Sequence, residues 1–278
     1  MSKMIKSQDV IASWKSRVHM HHCQSRFAME TETKLDFWAE SAHRFEVDPY
    51  RTDDVVLNAV QNIIGGSRSV LDVGGGTGRY AIPIALKSRK VTVIDQSPAM
   101  LAVLRKQIDS YKIPDITIVH SSFESVSVPV MDVAFCAHVL YTIEKIDKFI
   151  ELLNLVTSHK VVIIMFGKSP QSELADLWNF IHGEYRITLP GAPELLKILK
   201  NMGIKDVSVE TIEVAPNYYQ SLDEAFKMIC QKIFISPDSC KGEKLQQNLD
   251  GYLEDCDGKY IVKNAGTRKN SIIYWQKS

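Results

Sequence analysis

Between residues 55 and 166, short apolar runs alternate with amphipathic stretches. Residues 69–73, 90–95, 115–120, 131–136 and 160–166 have the length and β-branched content of buried strands. The stretch 55–64 is amphipathic and is closed by Gly65-Gly66, a helix stop. A helix over 79–87 follows the first strand, with Pro83 tolerated near its first turn. After Pro98, Met100, Leu101, Leu104 and Ile108 recur at helical spacing, and Ile146, Phe149, Ile150, Leu153 and Val156 share another face. Strands alternating with helices of this length predict right-handed crossovers and a parallel α/β sheet.

The flanks follow different patterns. Residues 1 to about 50 read as helical, with Val10, Ile11, Trp14 and Val18 on one face and Leu35, Trp38, Ala42 and Phe45 on a second, ended by Asp48-Pro49. This segment is expected to be a cap or lid over a ligand mouth. Beyond 166, helices are marked by Leu174, Leu177, Trp178 and Ile181, and by Leu195, Leu196, Leu199 and Met202. A strand over 207–214 precedes two amphipathic helices, one through Leu222, Ala225, Phe226, Ile229 and Ile233 and one through Leu245, Leu249 and Leu253, and then short strands at 259–262 and 271–275. The expected organisation is a cap over 1–50, a ligand-binding core over 51–168, and a C-terminal part of the same α/β domain over 169–278 with a helical insertion at 217–256.

Composition narrows the function. The 278 residues carry 33 basic and 33 acidic side chains, and no window gathers Lys and Arg into a stripe, which argues against a nucleic-acid partner. The first residues lack the apolar run of a secretory signal, and no stretch has the length of a membrane span. Five cysteines without CxxC spacing fit a reducing compartment and give no zinc site, so the chain is expected to be cytoplasmic. His19, His21, His22 and Cys23 would be scattered around a helix, so no metal is expected there.

The chemistry concentrates in Val70-Leu71-Asp72-Val73-Gly74-Gly75-Gly76-Thr77-Gly78, a strand running into a glycine turn that opens a helix. Such a turn lets backbone press against a ligand at the carboxyl end of a parallel sheet. Gly76-x-Gly78-x-x-Ala81 with Asp95 also fits a dinucleotide fingerprint. Three details favour S-adenosylmethionine instead. Asp72 would repel a pyrophosphate but attract an ammonium; Gly74-x-Gly76-x-Gly78 suits a methionine tail and ribose; and Asp95 at the end of the second strand can accept two ribose hydroxyls, with Met100 against adenine.

These residues resemble the class I S-adenosylmethionine-dependent methyltransferases, in the small-molecule group called type 11 or type 25 methyltransferase domains. The resemblance covers about 55–166 and implies a seven-stranded, Rossmann-like sheet that is mostly parallel with its last strand antiparallel. It implies that Asp72, Gly74, Gly75, Gly76 and Gly78 line the methionine end, that Asp95 holds the ribose, and that Gln96 and Met100 flank adenine. Ser122-Phe123 would meet the adenine edge, where the family more often has an Asp, and Cys136-Ala137-His138 would face the sulfonium.

Methyl transfer from a sulfonium is an in-line displacement, so the protein mainly has to align the reactants and exclude water. A hydroxyl or ammonium acceptor must also lose a proton, and His138 is the expected general base, with Tyr141 beside it. His43, Glu46, Tyr50, Tyr185, Tyr218 and Tyr219 form a wider pool around the acceptor. The function expected is transfer of a methyl group from S-adenosylmethionine to oxygen or nitrogen of a small molecule. A dinucleotide-dependent oxidoreductase, or a relative that holds S-adenosylmethionine or S-adenosylhomocysteine without catalysis, are the alternatives.

Overall fold

The computed structural model describes residues 2–30, 36–87, 89–263 and 265–277. Five parallel strands, β1 (Ser69–Val73), β2 (Lys90–Asp95), β3 (Ile116–His120), β4 (Met131–Ala137) and β5 (Thr157–Phe166), form one side of the main sheet. The other side holds β6 (Ser208–Val214) and the last strand, which is β10 once β7 (Tyr218–Tyr219), β8 (Leu253–Cys256) and β9 (Lys259–Val262) are counted. Strand β10 (Arg268–Gln276) lies between β5 and β6 and is antiparallel to both, so the order is β3-β2-β1-β4-β5-β10-β6. The expected seven-stranded sheet with one antiparallel strand is the one observed.

Helices cover both faces because the strands are buried on both, as an alternating crossover topology requires. On one face pack α2 (Val55–Ile64), α3 (Ala81–Ala85) and α4 (Pro98–Tyr111), around Val70, Val91, Phe135, Val162 and Ile272. On the other pack α5 (Ile146–Leu155), α7 (Ala192–Asn201) and the long α1 (Ser2–Ala28), around Leu71, Cys136, Ile163 and Ile273. Helix α1 buries Trp14, Val18, His21, Ser25 and Ala28, a stripe repeating every three to four residues. The Trp14 indole donates to the Ile143 carbonyl at 2.8 Å, fixing that stripe. A smaller three-stranded sheet, β7-β9-β8, joins α6 (Ala175–His182), α8 (Leu222–Lys232) and α9 (Cys240–Tyr252) in a third cluster around Trp178, Ile229 and Leu245.

Several expected boundaries shift. Strand β5 starts three residues early, at Thr157, and β10 starts three early, at Arg268. The first crossover helix covers only Ala81–Ala85 rather than 79–87, because Gly78 at φ +86° turns the chain and Pro83 lacks the N–H that would extend the ladder. No second N-terminal helix forms among the described residues. Residues 36–41 form turns and Ala42–Phe45 a single 3-10 turn, while Leu35 lies outside the described residues. Trp38 makes edge-to-face contacts with Phe37 at 5.0 Å and Phe45 at 5.4 Å, and this stretch ties down through side chains instead of a helical ladder.

Candidate cofactor and acceptor site

The turn after β1 is held by its neighbours on β2. The Gly74 N–H donates to the Ile94 carbonyl at 2.7 Å, and the Gly76 N–H to Asp95 Oδ2 at 2.9 Å. Gly74, Gly76 and Gly78 all take positive φ (70°, 55° and 86°), the region that favours glycine. They serve different ends. A Cβ on Gly74 would stand 2.3 Å from the Val139 side chain, one on Gly75 2.8 Å from the Asp72 carboxyl, and one on Gly78 2.5 Å from Leu104. A Cβ on Gly76 would meet nothing nearer than Met100 Sδ at 3.8 Å and Asp95 Oδ2 at 3.9 Å. Three glycines therefore admit other parts of the protein, and only Gly76 leaves open space over the turn.

Two acids flank that space. Asp72 is 1% exposed, its Oδ1 is sealed from solvent without a partner, and burial together with the nearby Asp95 pushes its carboxyl up to about 8. Asp95 is half-buried; its Oδ1 accepts from the Ser97 N–H at 2.8 Å and its Oδ2 from Gly76. Burial raises its carboxyl, and Asp36 raises it further against the pull of those amides. Asp36 comes from the N-terminal segment. Its carboxylate accepts from the Ser97 hydroxyl at 2.8 and 2.9 Å and from the Ala99 N–H at 2.9 Å, occupying the first turn of α4. Burial opposes its ionisation, but these bonds and the Trp38 N–H outweigh it and hold the group below the usual range. The segment's far end is tied by Thr77, whose hydroxyl donates to the Phe45 carbonyl at 2.9 Å. Residues 36–45 thus run from the start of α4 to the glycine turn.

Asp72, Gly74 to Gly76, Asp95 and Met100 come together around one volume. Gln96 beside them is exposed, its carbonyl 3.2 Å from His120 Nε2. Others of the expected set point elsewhere. Phe123 is 6% exposed and packs edge-on against Phe149 at 5.2 Å, inside the core. The Ser122 hydroxyl bonds locally to Ser125 at 2.8 Å. Cys136 is fully buried, and burial with Asp72 nearby drives its thiol far up. Among the run on α1, His21 bonds the Ile187 carbonyl and Arg186, whereas His19 and His22 turn to Glu144. No group of three ligating side chains forms among the described residues.

His138 and Tyr141 lie beyond β4, across from the glycine turn through the Val139 contact on Gly74. His138 takes φ +60° and its ring stacks on Phe166 at 4.4 Å. Its Nδ1 is 3.1 Å from the Tyr141 hydroxyl, which itself accepts from the Phe166 N–H at 2.7 Å. Burial, then Arg79 and Arg268, lower the imidazole to about 3. Arg268 lies 5.0 Å over the Phe166 ring and pairs with Glu173. Sequence reasoning missed Asp36, Phe166, Arg268 and Glu173, since each reaches the site through contacts distant in the chain.

Residues 70–158, from β1 to the start of β5, match the sequence family described as a methyltransferase domain. The chain as a whole has the seven-stranded, Rossmann-like fold of solved methyltransferases. The plantazolicin methyltransferase BpumL, solved with S-adenosylhomocysteine, aligns over 96% of this chain and 98% of its own at a TM-score of 0.52 and 17% identity. Coclaurine N-methyltransferase, solved with N-methylheliamine and S-adenosylhomocysteine, aligns over 99% and 94% at 0.54 and 11%. The probable ribosomal RNA small subunit methyltransferase A of Methanosphaera stadtmanae is 32% identical over 85 residues, 30% of this chain and 31% of that protein. The chain thus spans about a third of that curated relative's length.

BpumL and coclaurine N-methyltransferase hold S-adenosylhomocysteine in their structures, and the residues around the turn here have the chemistry for such a group. A sealed, unpaired carboxyl at Asp72 matches its ammonium, and the open Cβ direction at Gly76 matches a ligand lying on the turn. No described helix is long and apolar enough to cross a membrane.

Proposed function

We propose that the protein transfers a methyl group from S-adenosylmethionine to oxygen or nitrogen of a small-molecule acceptor in the cytoplasm. One observation carries this reading: the unpaired Asp72 carboxyl beneath the glycine turn, with Asp95 across the turn from it. Asp72 pairs with the ammonium of the amino-acid end. Asp95 has given one lone pair from each oxygen to Ser97 and Gly76 and keeps the others for two ribose hydroxyls. Met100, with Gln96, flanks adenine. When bound, the sulfonium supplies an electrophilic methyl carbon and a neutral thioether leaving group. The chain's own task is to orient the acceptor over β4 and β5 and keep water out; His138, Phe166 and the 36–45 segment bound that volume.

The Asp72 carboxyl argues against a dinucleotide, because a dianionic pyrophosphate on the same turn would be repelled by it. The neutral overall charge and the small-molecule ligand named with coclaurine N-methyltransferase support a small acceptor over nucleic acid. Titration calorimetry with S-adenosylhomocysteine and with NAD tests the reading. Binding of the first alone is expected, and binding of NAD alone would overturn it.

A further inference from the structure

The polar group facing the acceptor volume is set by a proton count at Tyr141. Its hydroxyl is nearly sealed, with Tyr141 3% exposed, and it has two partners: the Phe166 N–H, which can only donate, and His138 Nδ1. The hydroxyl hydrogen therefore has one place to go, the lone pair of Nδ1. A neutral imidazole that accepts at Nδ1 carries its hydrogen at Nε2. That nitrogen has no protein partner among the described residues and, unlike Asp72 Oδ1, is not a sealed unpaired atom. His138 as a residue is partly exposed, just past the carboxyl end of β4.

The surroundings hold the ring in this state. His138 keeps a left-handed backbone at φ +60°, uncommon outside glycine, fixed by its N–H to the Ile164 carbonyl at 2.9 Å and by the stack on Phe166. Burial first, then Arg268 over the same Phe166 ring and Arg79, oppose a second proton on the ring, although Glu173 and Asp54 pair with the two guanidinium groups. A neutral N–H donor that cannot take up a proton serves an oxygen that has none to give.

We propose that His138 presents a fixed Nε2–H to an anionic oxygen of the acceptor, a carboxylate, enolate or phenolate, and takes no proton from it, with Tyr141 as the positioning residue that sets the tautomer. This rests on the methyltransferase reading of the site and gives the acceptor a chemical class. An acceptor already deprotonated needs no base from the protein, so the lone pair engaged by Tyr141 is not required for transfer.

Long-range proton–nitrogen correlation spectra of the histidine-labelled full chain test it, with the His138 signals assigned by their loss in His138→Gln. The expected result is a neutral ring, Nε2 protonated and Nδ1 not, unchanged from pH 5 to 8, and a mixed tautomer in Tyr141→Phe. A ring protonated at Nδ1, or one titrating in that range, would overturn the proposal; if Tyr141→Phe does not fold, the wild-type tautomer alone decides. Acetate, added with S-adenosylhomocysteine, should shift the His138 Nε2 signal, and chloride at the same concentration should not. No response to acetate overturns the oxyanion assignment. The tautomer is read without the cofactor, so failure to bind S-adenosylhomocysteine would sink the methyltransferase reading separately.

Discussion

If Asp72 meets the ammonium of the cofactor, binding must expel a proton. In the free protein the carboxyl is held up to about 8 by burial and by Asp95, so at pH 7 about nine-tenths of it is protonated. Pairing with an ammonium requires the carboxylate. Binding of S-adenosylhomocysteine at pH 7 should therefore release most of one proton, and above pH 8, where the carboxyl is already ionised and the ligand's own amine is losing its proton, the release should give way to uptake. The apparent affinity should rise roughly tenfold per pH unit between 6 and 7 and peak near 8. Calorimetry in phosphate and in Tris reads this directly, since the two buffers return different heats per proton. Asp72→Asn, close in shape, should bind more weakly at pH 8, with nearly equal heats in both buffers at pH 6–7 and an affinity that no longer rises with pH between them. Equal heats in the wild type at pH 7 would refute the argument. It would mean either that Asp72 is already ionised in the free protein or that no cation meets it in the complex.

Asp95→Ala should weaken S-adenosylhomocysteine by about 1.5–3 kcal/mol, the range for losing hydrogen bonds to a charged group, read by the same calorimetry. Gly76→Ala should cost about 1 kcal/mol of stability from its positive φ, while Gly78→Ala, whose Cβ would strike Leu104, should cost about 1–3 kcal/mol more in urea melts. Stability should peak near pH 6.5. His21 at about 4 and His138 at about 3 are neutral in the fold, so their contribution is complete above 6.5 and lost as pH falls. Asp72 acts in the opposite sense, its contribution present at low pH and lost as pH rises through about 8. Thermal melts across pH 4–9 check both limbs, and Asp72→Asn should flatten the upper one and steepen the lower, because the raised carboxyl opposes stability over the whole span from the ordinary carboxylate range to about 8.

The frame of this domain was legible because its signals are local. A strand such as Ser69–Val73 declares itself in five residues, and Gly65 or Pro98 marks a helix end by its own backbone restrictions. Asp72 and Asp95 could be singled out for the same reason, each standing at a fixed offset from the turn. The segment around Trp38 was misread because its apolar spacing is helical while its partners are not. Asp36 bonds Ser97, 61 residues away, and that contact, with the aromatic trio, selects turns over a helix. Phe123 shows the converse failure: its position after β3 suggested adenine, but the core beside Phe149 takes its ring. No spacing rule reaches Arg268 or Glu173, since β10 enters the sheet between strands formed 50 residues or more earlier.

The glycine turn itself changes meaning once its neighbours are known. Gly74, Gly75 and Gly78 are small because Val139, Asp72 and Leu104 need the room, a demand that any strand–turn–helix of this packing would make. Their spacing therefore reports the fold and says little about the ligand, which is why it fitted two cofactors equally. Gly76 alone opens outward, and it does so between an acid bonded to its own N–H and an acid sealed below. Asp36 adds a third carboxylate at the start of α4, satisfied there by Ser97 and Ala99 rather than by any cation. A site that gathers three acids and raises two of them is electrostatically tense without a positive partner, and relieves that tension by protonation or by a cationic ligand. Across the turn the acids are already paired, Glu173 with Arg268 and Asp54 with Arg79, and burial, then the two guanidinium groups, keep His138 neutral. The two ends of the volume thus differ: the acids over β1 and β2 ask for a cation, His138 beyond β4 offers a hydrogen-bond donor and no base, and a sulfonium amino acid facing an oxyanion acceptor meets both.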